Sequence, residues 1–190
     1  LGGGYELCLS CHYRIASNHP GLRIGFPEIK FGLFPGGGGT QRLPRMIGLR
    51  AAAKILLEGK LFDAKTAFDQ NLIDELATTE GLIDAARAWL ESDSADPEKP
   101  WDKHGFKIPS GDVWSQVGMQ SFTAGNALLH AKTKGNYPAH RAIMSCLYEG
   151  LQVPIDLSLQ IESRWFANVV LGNVAKNMTR TFFFHMKDAN

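Results

Sequence analysis

Apolar residues along the first ninety positions come in short runs, and glycine, proline and asparagine separate them. Strands are predicted where these runs are rich in β-branched and aromatic residues, over residues 12–16, 23–26 and 72–76. Helices are predicted where the apolar spacing is helical, over residues 5–11, 41–47, 50–57, 64–70 and 80–90. Asp63 and Thr79 are predicted N-caps, and Gly59 is a predicted helix stop.

The composition changes between residues 93 and 112, which are polar and rich in proline and glycine. This segment is predicted to be a long loop and an internal boundary. Helices are predicted after it, over residues 114–132, 138–150 and 154–184, with a break near Gly172. In the last of them the apolar residues that recur at helical spacing are Leu157, Ile161, Trp165 and Val169, and we expect this helix to pack back on the core.

Composition narrows the class of protein. The chain has 190 residues and a formal net charge of +1, which gives no electrostatic footprint for nucleic acid. No apolar run reaches the ~20 residues that a bilayer helix needs. Three cysteines do not make a disulfide framework, so we expect a reducing compartment: the bacterial cytoplasm, or a peroxisome or mitochondrion in a eukaryote. The chain opens on Leu1 inside a glycine motif, so we expect a piece of a longer protein.

Two glutamates stand in unusual surroundings. Three glycines at a helix start leave backbone N–H groups that can hold an oxyanion, and Glu6 follows them in an apolar helix. Glu28 lies among Phe26, Pro27 and Ile29 after a predicted strand. Burial of either carboxyl group would raise its pKa towards values useful in acid–base catalysis. The alternative for each is an ordinary glutamate that reaches solvent.

Two other motifs have competing interpretations. The glycines at 36–39 before a helix suggest phosphate binding, but no Lys-Ser/Thr pair follows and the P-loop pattern fails. Cys8, Cys11 and His12 match the C-x-x-C-H pattern of c-type haem attachment, although nothing signals export. The alternative is two small buried thiols on one helix. The histidines show no metal-binding spacing such as H-E-x-x-H, so no metal site is predicted.

Taken in order, residues 1–7, 26–43, 59–67 and 72–74 closely resemble the crotonase (enoyl-CoA hydratase/isomerase) superfamily. The resemblance implies an α/β fold, the ClpP-like ββα spiral. Here it would be N-terminally truncated and followed by an all-helical second half. It divides the chain into part of the spiral core (1–92), a loop or insertion (93–112) and a helical region (113–190).

The resemblance also implies the roles of four residues. Glu6 would activate water for attack at C3 of a 2-enoyl-CoA substrate, and Glu28 would deliver the proton to C2. The backbone N–H of Gly3 would bind the thioester oxygen, and Gly36 would help to hold the catalytic water. Adding water across a conjugated double bond needs a base, an acid and a site for enolate charge, which agrees with these roles.

Residues 134–139 and 176–183 resemble multifunctional fatty-acid β-oxidation proteins, in which a long helix joins the hydratase to a 3-hydroxyacyl-CoA dehydrogenase. NAD would then belong to that domain, and no cofactor is expected in this chain. The candidate protein partners are a thiolase subunit and a second copy. The absent N-terminal region would supply a second oxyanion donor. Losing one donor typically costs ~10²–10³ in rate, so we expect the chain alone to be inactive.

Two alternatives are kept. A Δ3,Δ2-enoyl-CoA isomerase needs one proton shuttle, so Glu6 would be dispensable. A non-catalytic scaffold would use the helical second half to dock partners and would show no activity. Hydration of crotonyl-CoA by Glu6→Gln and Glu28→Gln variants distinguishes the three.

Overall fold

The computed structural model describes residues 1–186 of the chain. Strands are short and lie in the first half. In chain order the elements are α1 (Gly3–Ser10), β1 (Ile15–Ser17), β2 (Ile24–Gly25), a 3-10 turn (Glu28–Phe31), α2 (Gly39–Ile47), α3 (Leu49–Glu58), β3 (Leu61–Phe62), α4 (Ala64–Asp69), β4 (Glu75–Ala77), α5 (Leu82–Leu90), a second 3-10 turn (Pro100–Asp102), α6 (Gln116–Thr133), α7 (Pro138–Gly150), α8 (Ile155–Val170), α9 (Asn173–Thr179) and a π-helical turn (Arg180–His185).

Strands pair in twos within the described chain. β1 is parallel to β4, with Ala16 opposite Leu76, and β2 is antiparallel to β3, with Ile24 opposite Phe62. The predicted first and third strands are each displaced toward the C-terminus, because Asp74 and Glu75 begin the pairing with their N–H groups on the carbonyl of Arg14. β3 was not predicted, since two residues carry no periodicity.

Helix ends follow the local chemistry in most places. The side chain of Asp63 accepts a hydrogen bond from the N–H of Thr66 at 2.7 Å, so this predicted N-cap is confirmed. Gly59 ends α3 in the left-handed region, as predicted. The prediction that Thr79 caps α5 was wrong. The helix begins after Gly81, whose N–H is held by Thr78 Oγ1 instead.

Helix α8 has a different buried face from the one that its apolar pattern suggests. Leu157 of the predicted stripe is 50% exposed, whereas Val169 is buried as predicted, together with Ser158 and Glu162, which the pattern did not include. The buried face is therefore displaced by one residue in the first half of the helix, which is roughly 100° around its axis. It packs against α7 and α2, and α2 also contacts α1.

The C-terminal segment returns to the first half of the chain. Thr179 Oγ1 donates to the carbonyl of Phe31, and the rings of Phe31 and Phe183 meet edge to face. The end of the predicted helical region, residues 187–190, lies outside the described residues. None of the described helices is both long and apolar enough to cross a bilayer.

Candidate active site

Helix α1 carries Glu6 into the interior. Gly2 precedes the helix at a φ of 55°, and its N–H donates to the carbonyl of Gly25 at 2.9 Å, which fixes the helix start against β2. Glu6 is less than one turn further on and is only 7% exposed. Among the described residues, the N–H of Gly3 at the first position of the helix has no acceptor. It therefore offers a donor at the positive end of the helix dipole.

The carboxylate of Glu6 is held by the glycine loop. Its Oε1 accepts hydrogen bonds from the N–H of Gly37 at 2.7 Å and of Gly39 at 2.8 Å. Burial raises the pKa of Glu6, while these two hydrogen bonds and the positive charge of Arg42 act in the opposite direction. The carboxyl group is thus desolvated but retains two donors that favour its ionised form.

Glu28 reaches the same region from the 3-10 turn that follows Pro27. Its Oε2 is buried and has no hydrogen-bond partner among residues 1–186. Burial raises the pKa of Glu28 to about 7, and the negative charge of Glu6 adds to the rise. A carboxyl group with this pKa exchanges its proton near neutral pH, which is what a catalytic acid requires.

One cavity of about 250 Å³ brings the four predicted residues together. Glu6 and Glu28 line it with Gly3 and Gly36, so the two carboxyl groups face a common space rather than separate surfaces. Gly36 contacts the wall at Phe166, because a Cβ added to it would lie 2.4 Å from that ring. The other lining residues are Leu33, Phe34, Gly37 and Phe166.

Another glutamate, Glu162 of α8, is more deeply buried than Glu6 or Glu28, and no sequence pattern pointed to it. It is 1% exposed and does not line the cavity. Its Oε1 accepts from the N–H of Gly38, and its Oε2 accepts from both the N–H and the hydroxyl of Thr40. Burial raises the pKa of Glu162 to about 7, although the hydrogen bonds from Thr40 and Gly38 oppose the rise. The apolar pattern of α8 gave no sign that Glu162 faces inward.

These contacts exclude a phosphate at the glycine loop. The N–H groups from Gly37 to Thr40 are already taken by two carboxylates, whose charge would repel an anion. The loop therefore does not fit the pyrophosphate of a dinucleotide. The expected burial of the thiols in the C-x-x-C-H motif is also wrong, since Cys8 and Cys11 are both exposed. His12 Nε2 lies 2.8 Å from the carbonyl of Pro97 and takes part in a loop contact.

A larger cavity of about 1000 Å³ lies elsewhere, between α3, α6 and α7. Most of its lining is apolar, and it contains neither of the paired glutamates. We place the candidate chemistry in the smaller of these two cavities, because two carboxyl groups with raised pKa values line it together with Gly3, whose N–H has no acceptor among residues 1–186.

Comparison with known proteins identifies the family. The model of the enoyl-CoA hydratase/isomerase family matches residues 1–98, more than half of the chain. The chain belongs to the enoyl-CoA hydratase/isomerase family. The match includes both glutamates of the cavity and the glycine loop that holds Glu6.

Curated relatives of this family member are longer proteins. The fatty acid oxidation complex subunit alpha of Vibrio vulnificus is 36% identical over 185 residues. The subunit of the same name from Shewanella loihica is 34% identical over 184 residues. Each match covers 96% of this chain and 26% of the relative, so the chain spans about a quarter of their length.

Solved structures show the fold. Carnitinyl-CoA hydratase from Mycobacterium avium superposes with a TM-score of 0.58 at 20% identity, over 95% of this chain and 55% of that one. Enoyl-CoA hydratase from Mycobacterium tuberculosis gives 0.51 at 20% identity, over 90% and 59%. The family member therefore has the α/β crotonase fold.

Proposed function

We propose that this family member takes part in an enoyl-CoA hydratase, which adds water across the double bond of a 2-enoyl-CoA. The observation that supports this most is a pair of glutamates on one cavity, the buried Glu6 and the half-buried Glu28. Hydration needs one group to take a proton from water and another to give a proton to carbon, and both must reach the same face of the substrate.

The surroundings of the two glutamates suggest which does what. Two backbone N–H groups on Glu6 favour its carboxylate, so it serves as the base that activates water for attack at C3. Glu28 has an unpartnered buried oxygen and a pKa raised to about 7, so it carries the proton for C2. Different environments thus separate the two roles.

Charge that develops on the thioester oxygen also needs a donor. The N–H of Gly3 meets this need, because it has no other acceptor among the described residues and opens α1. Gly36 lines the cavity close to Glu6 and helps to hold the attacking water. A second oxyanion donor would come from a preceding part of the full-length protein, and we expect little activity without it.

The length of the relatives supports a larger context. We propose that the chain has three parts. Residues 1–92 are the C-terminal part of a crotonase spiral core that is truncated at its N-terminus, residues 93–112 are a loop or insertion, and residues 113–190 are an all-helical region. In the full-length protein it would be joined to a 3-hydroxyacyl-CoA dehydrogenase that uses NAD. A thiolase subunit would be a further partner. This proposal follows the name of the relatives, fatty acid oxidation complex subunit alpha.

The test is hydration of crotonyl-CoA by the full-length product of the reading frame that encodes this chain. Glu6→Gln and Glu28→Gln should each lower kcat by at least ~10²-fold, the usual contribution of a general acid or base. Glu80→Gln, at an exposed position, is the matched control. Loss of Δ3,Δ2 isomerisation in Glu28→Gln but not in Glu6→Gln would identify an isomerase. Inactivity of every form, the unmutated protein included, would indicate a scaffold.

A further inference from the structure

Two carboxylates share the backbone donors of the glycine loop in strict alternation. Glu6 accepts from the N–H groups of Gly37 and Gly39, and Glu162 accepts from those of Gly38 and Thr40. Every second N–H group of this segment thus donates to the same carboxylate. The loop is therefore held between two carboxylates, one on the side of the cavity and one behind it.

This arrangement replaces an ordinary helix cap. Gly38 is the N-cap of α2 and has no side chain that could accept from the first N–H groups of the helix. Glu162 takes over that task from α8, 124 residues away in sequence from Gly38. The hydroxyl of Thr40 adds a third donor to the same carboxyl group. A nearby serine, threonine, aspartate or asparagine could cap α2, so capping alone does not explain a buried acid from a distant helix.

Burial makes Glu162 costly to keep. Within residues 1–186 it forms no ion pair, and it is 1% exposed, so only the three hydrogen bonds and the helix dipole offset its desolvation. One turn further along α8, Phe166 lies against Gly36 and lines the cavity. Helix α8 therefore supports both ends of the loop segment, at Gly36 and at Thr40.

We infer that Glu162 is a positioning residue: by anchoring the N–H groups of Gly38 and Thr40, it keeps the N–H groups of Gly37 and Gly39 on the carboxylate of Glu6. The inference rests on the proposed hydratase function. Glu162 is not a catalytic residue, since it does not reach the cavity.

The variants for the test are Glu162→Gln and the milder Thr40→Val, with Asp156→Asn as control. Glutamine turns an amide donor toward N–H groups that need an acceptor. Valine removes the hydroxyl of Thr40, which donates to Oε2 of Glu162 and accepts from Nε2 of Gln41 at 3.0 Å, whereas Gln41 Nε2 keeps its bond to the carbonyl of Cys146. Asp156→Asn makes the same acid-to-amide change at an exposed position on α8. If Glu162→Gln fails to fold, Thr40→Val carries the test, and Thr40→Ser should restore what valine removes.

Kinetics of the full-length product provide the first measurement. Glu162→Gln should lower kcat by about 10- to 100-fold, as a small misplacement of a catalytic group does, with KM for crotonyl-CoA within about two-fold. Asp156→Asn should match the unmutated protein. A KM effect without a kcat effect, or no effect of either variant on kcat, would overturn the inference.

The pH profile gives a second measurement with a defined sign. The charged groups around Glu6 are Glu28, Glu162 and Arg42. Looser bonds from Gly37 and Gly39 raise the pKa of Glu6, so the acid limb of kcat/KM moves to higher pH. Loss of a nearby negative charge alone would lower that pKa and move the limb the other way. Thr40→Val keeps Glu162, so an upward shift in this variant reports the hydrogen bonds.

Hydrogen exchange separates this inference from the proposed function. Residue-resolved exchange should be faster at the N–H groups of Gly37 and Gly39 in Thr40→Val, although both groups donate to Glu6 and neither is hydrogen-bonded to Thr40 or Glu162. Unchanged exchange at both would overturn the positioning role, whatever the activity. Faster exchange in a protein that never hydrates crotonyl-CoA would overturn the proposed function and leave the mechanical link between Glu162 and the loop established.

Discussion

The N–H of Gly37 lies 2.7 Å from Oε1 of Glu6, although 31 residues separate the two. This contact joins the opening helix to the glycine loop and leaves little space between them. A Cβ added at Gly37 would lie 3.0 Å from Oε2 of Glu6. The loop is rich in glycine because its backbone approaches a carboxylate closely, rather than because it binds a phosphate.

Gly39→Ala should reduce both stability and activity. Its Cβ would lie 2.9 Å from Oε1 of Glu6 and 2.6 Å from Cβ of Pro35, and both neighbours are buried. We expect a loss of about 1–3 kcal/mol in the free energy of unfolding, measured with urea, and a lower kcat. The control is Gly125→Ala on α6, where a Cβ meets only the flexible end of Met144. An unchanged kcat in Gly39→Ala would contradict the proposal that the glycine loop holds the carboxylate of Glu6 in its active position.

The hydration rate should fall as pH rises through about 7. The pKa of Glu28 is raised to about 7 by burial, and the proposed mechanism requires its protonated form in the free enzyme. The basic limb of kcat/KM should therefore bend near that pH, and it should be absent from the residual activity of Glu28→Gln. A rate that increases between pH 7 and 8 would exclude Glu28 as the acid.

Replacing Glu28 by glutamine should also change how the free energy of unfolding depends on pH. The pKa of Glu28 is about 7 in the folded state and ~4.3 in an unfolded chain, so the folded state binds the proton more tightly. The contribution of Glu28 protonation to the free energy of unfolding is fully present below the unfolded pKa and is lost as pH rises through 7. Glu28→Gln, which cannot ionise, should gain about 1–2 kcal/mol relative to the unmutated protein between pH 4 and 8, after allowance for partial exposure. Urea titrations at both pH values measure it.

Gly36 and Phe166 should be energetically coupled. A Cβ at Gly36 would lie 2.4 Å from the Phe166 ring, which also packs edge to face with Phe34 at a centroid distance of 5.6 Å. Gly36→Ala should cost about 1–3 kcal/mol, and less in a Phe166→Leu background, because leucine leaves room for the methyl group. A double-mutant cycle should give a coupling of at least ~0.5 kcal/mol. Additive effects would show that the contact relaxes without cost.

Arg45 should be a major determinant of stability. It is 5% exposed, and its guanidinium donates to the carbonyls of Gln41, Gly150 and Val153 at 2.9–3.0 Å, which joins α2 to the end of α7. Arg45→Met should cost about 2–4 kcal/mol, because it removes the hydrogen bonds that join these three carbonyl groups to the guanidinium. Arg50→Met, at an exposed position, is the control. Thermal and urea unfolding measure both, and equal stability of the two variants would refute this.

Glu6 and Glu28 could be predicted as site residues because each is a charged residue among apolar neighbours in the sequence. Glu6 follows a run of glycines in an apolar helix, and Glu28 follows a short apolar strand, so both stand out against their neighbours. The prediction that they share a pocket depended on family resemblance, since 22 positions separate them and no periodicity links them. Their catalytic roles remain predictions.

Glu162 gave no such signal. It lies between Ile161 and Ser163 on a helix with polar residues on both sides, and the apolar pattern pointed to Leu157 as inward-facing. The buried face includes Ser158 and Glu162 because the helix is oriented by the donors of the glycine loop as well as by apolar burial. Patterns of hydrophobicity cannot report a buried acid whose partners are backbone groups far away in the chain.

The distance in sequence between Glu162 and the loop also sets an order of events during synthesis. A nascent chain that has left the ribosome only as far as α7 already contains Glu6, Glu28 and the whole glycine loop. The N–H groups of Gly38 and Thr40 then have water as their only acceptor. The loop therefore gains these two bonds only after translation has passed α8, and truncations that stop before Glu162 should leave Glu6 loosely held.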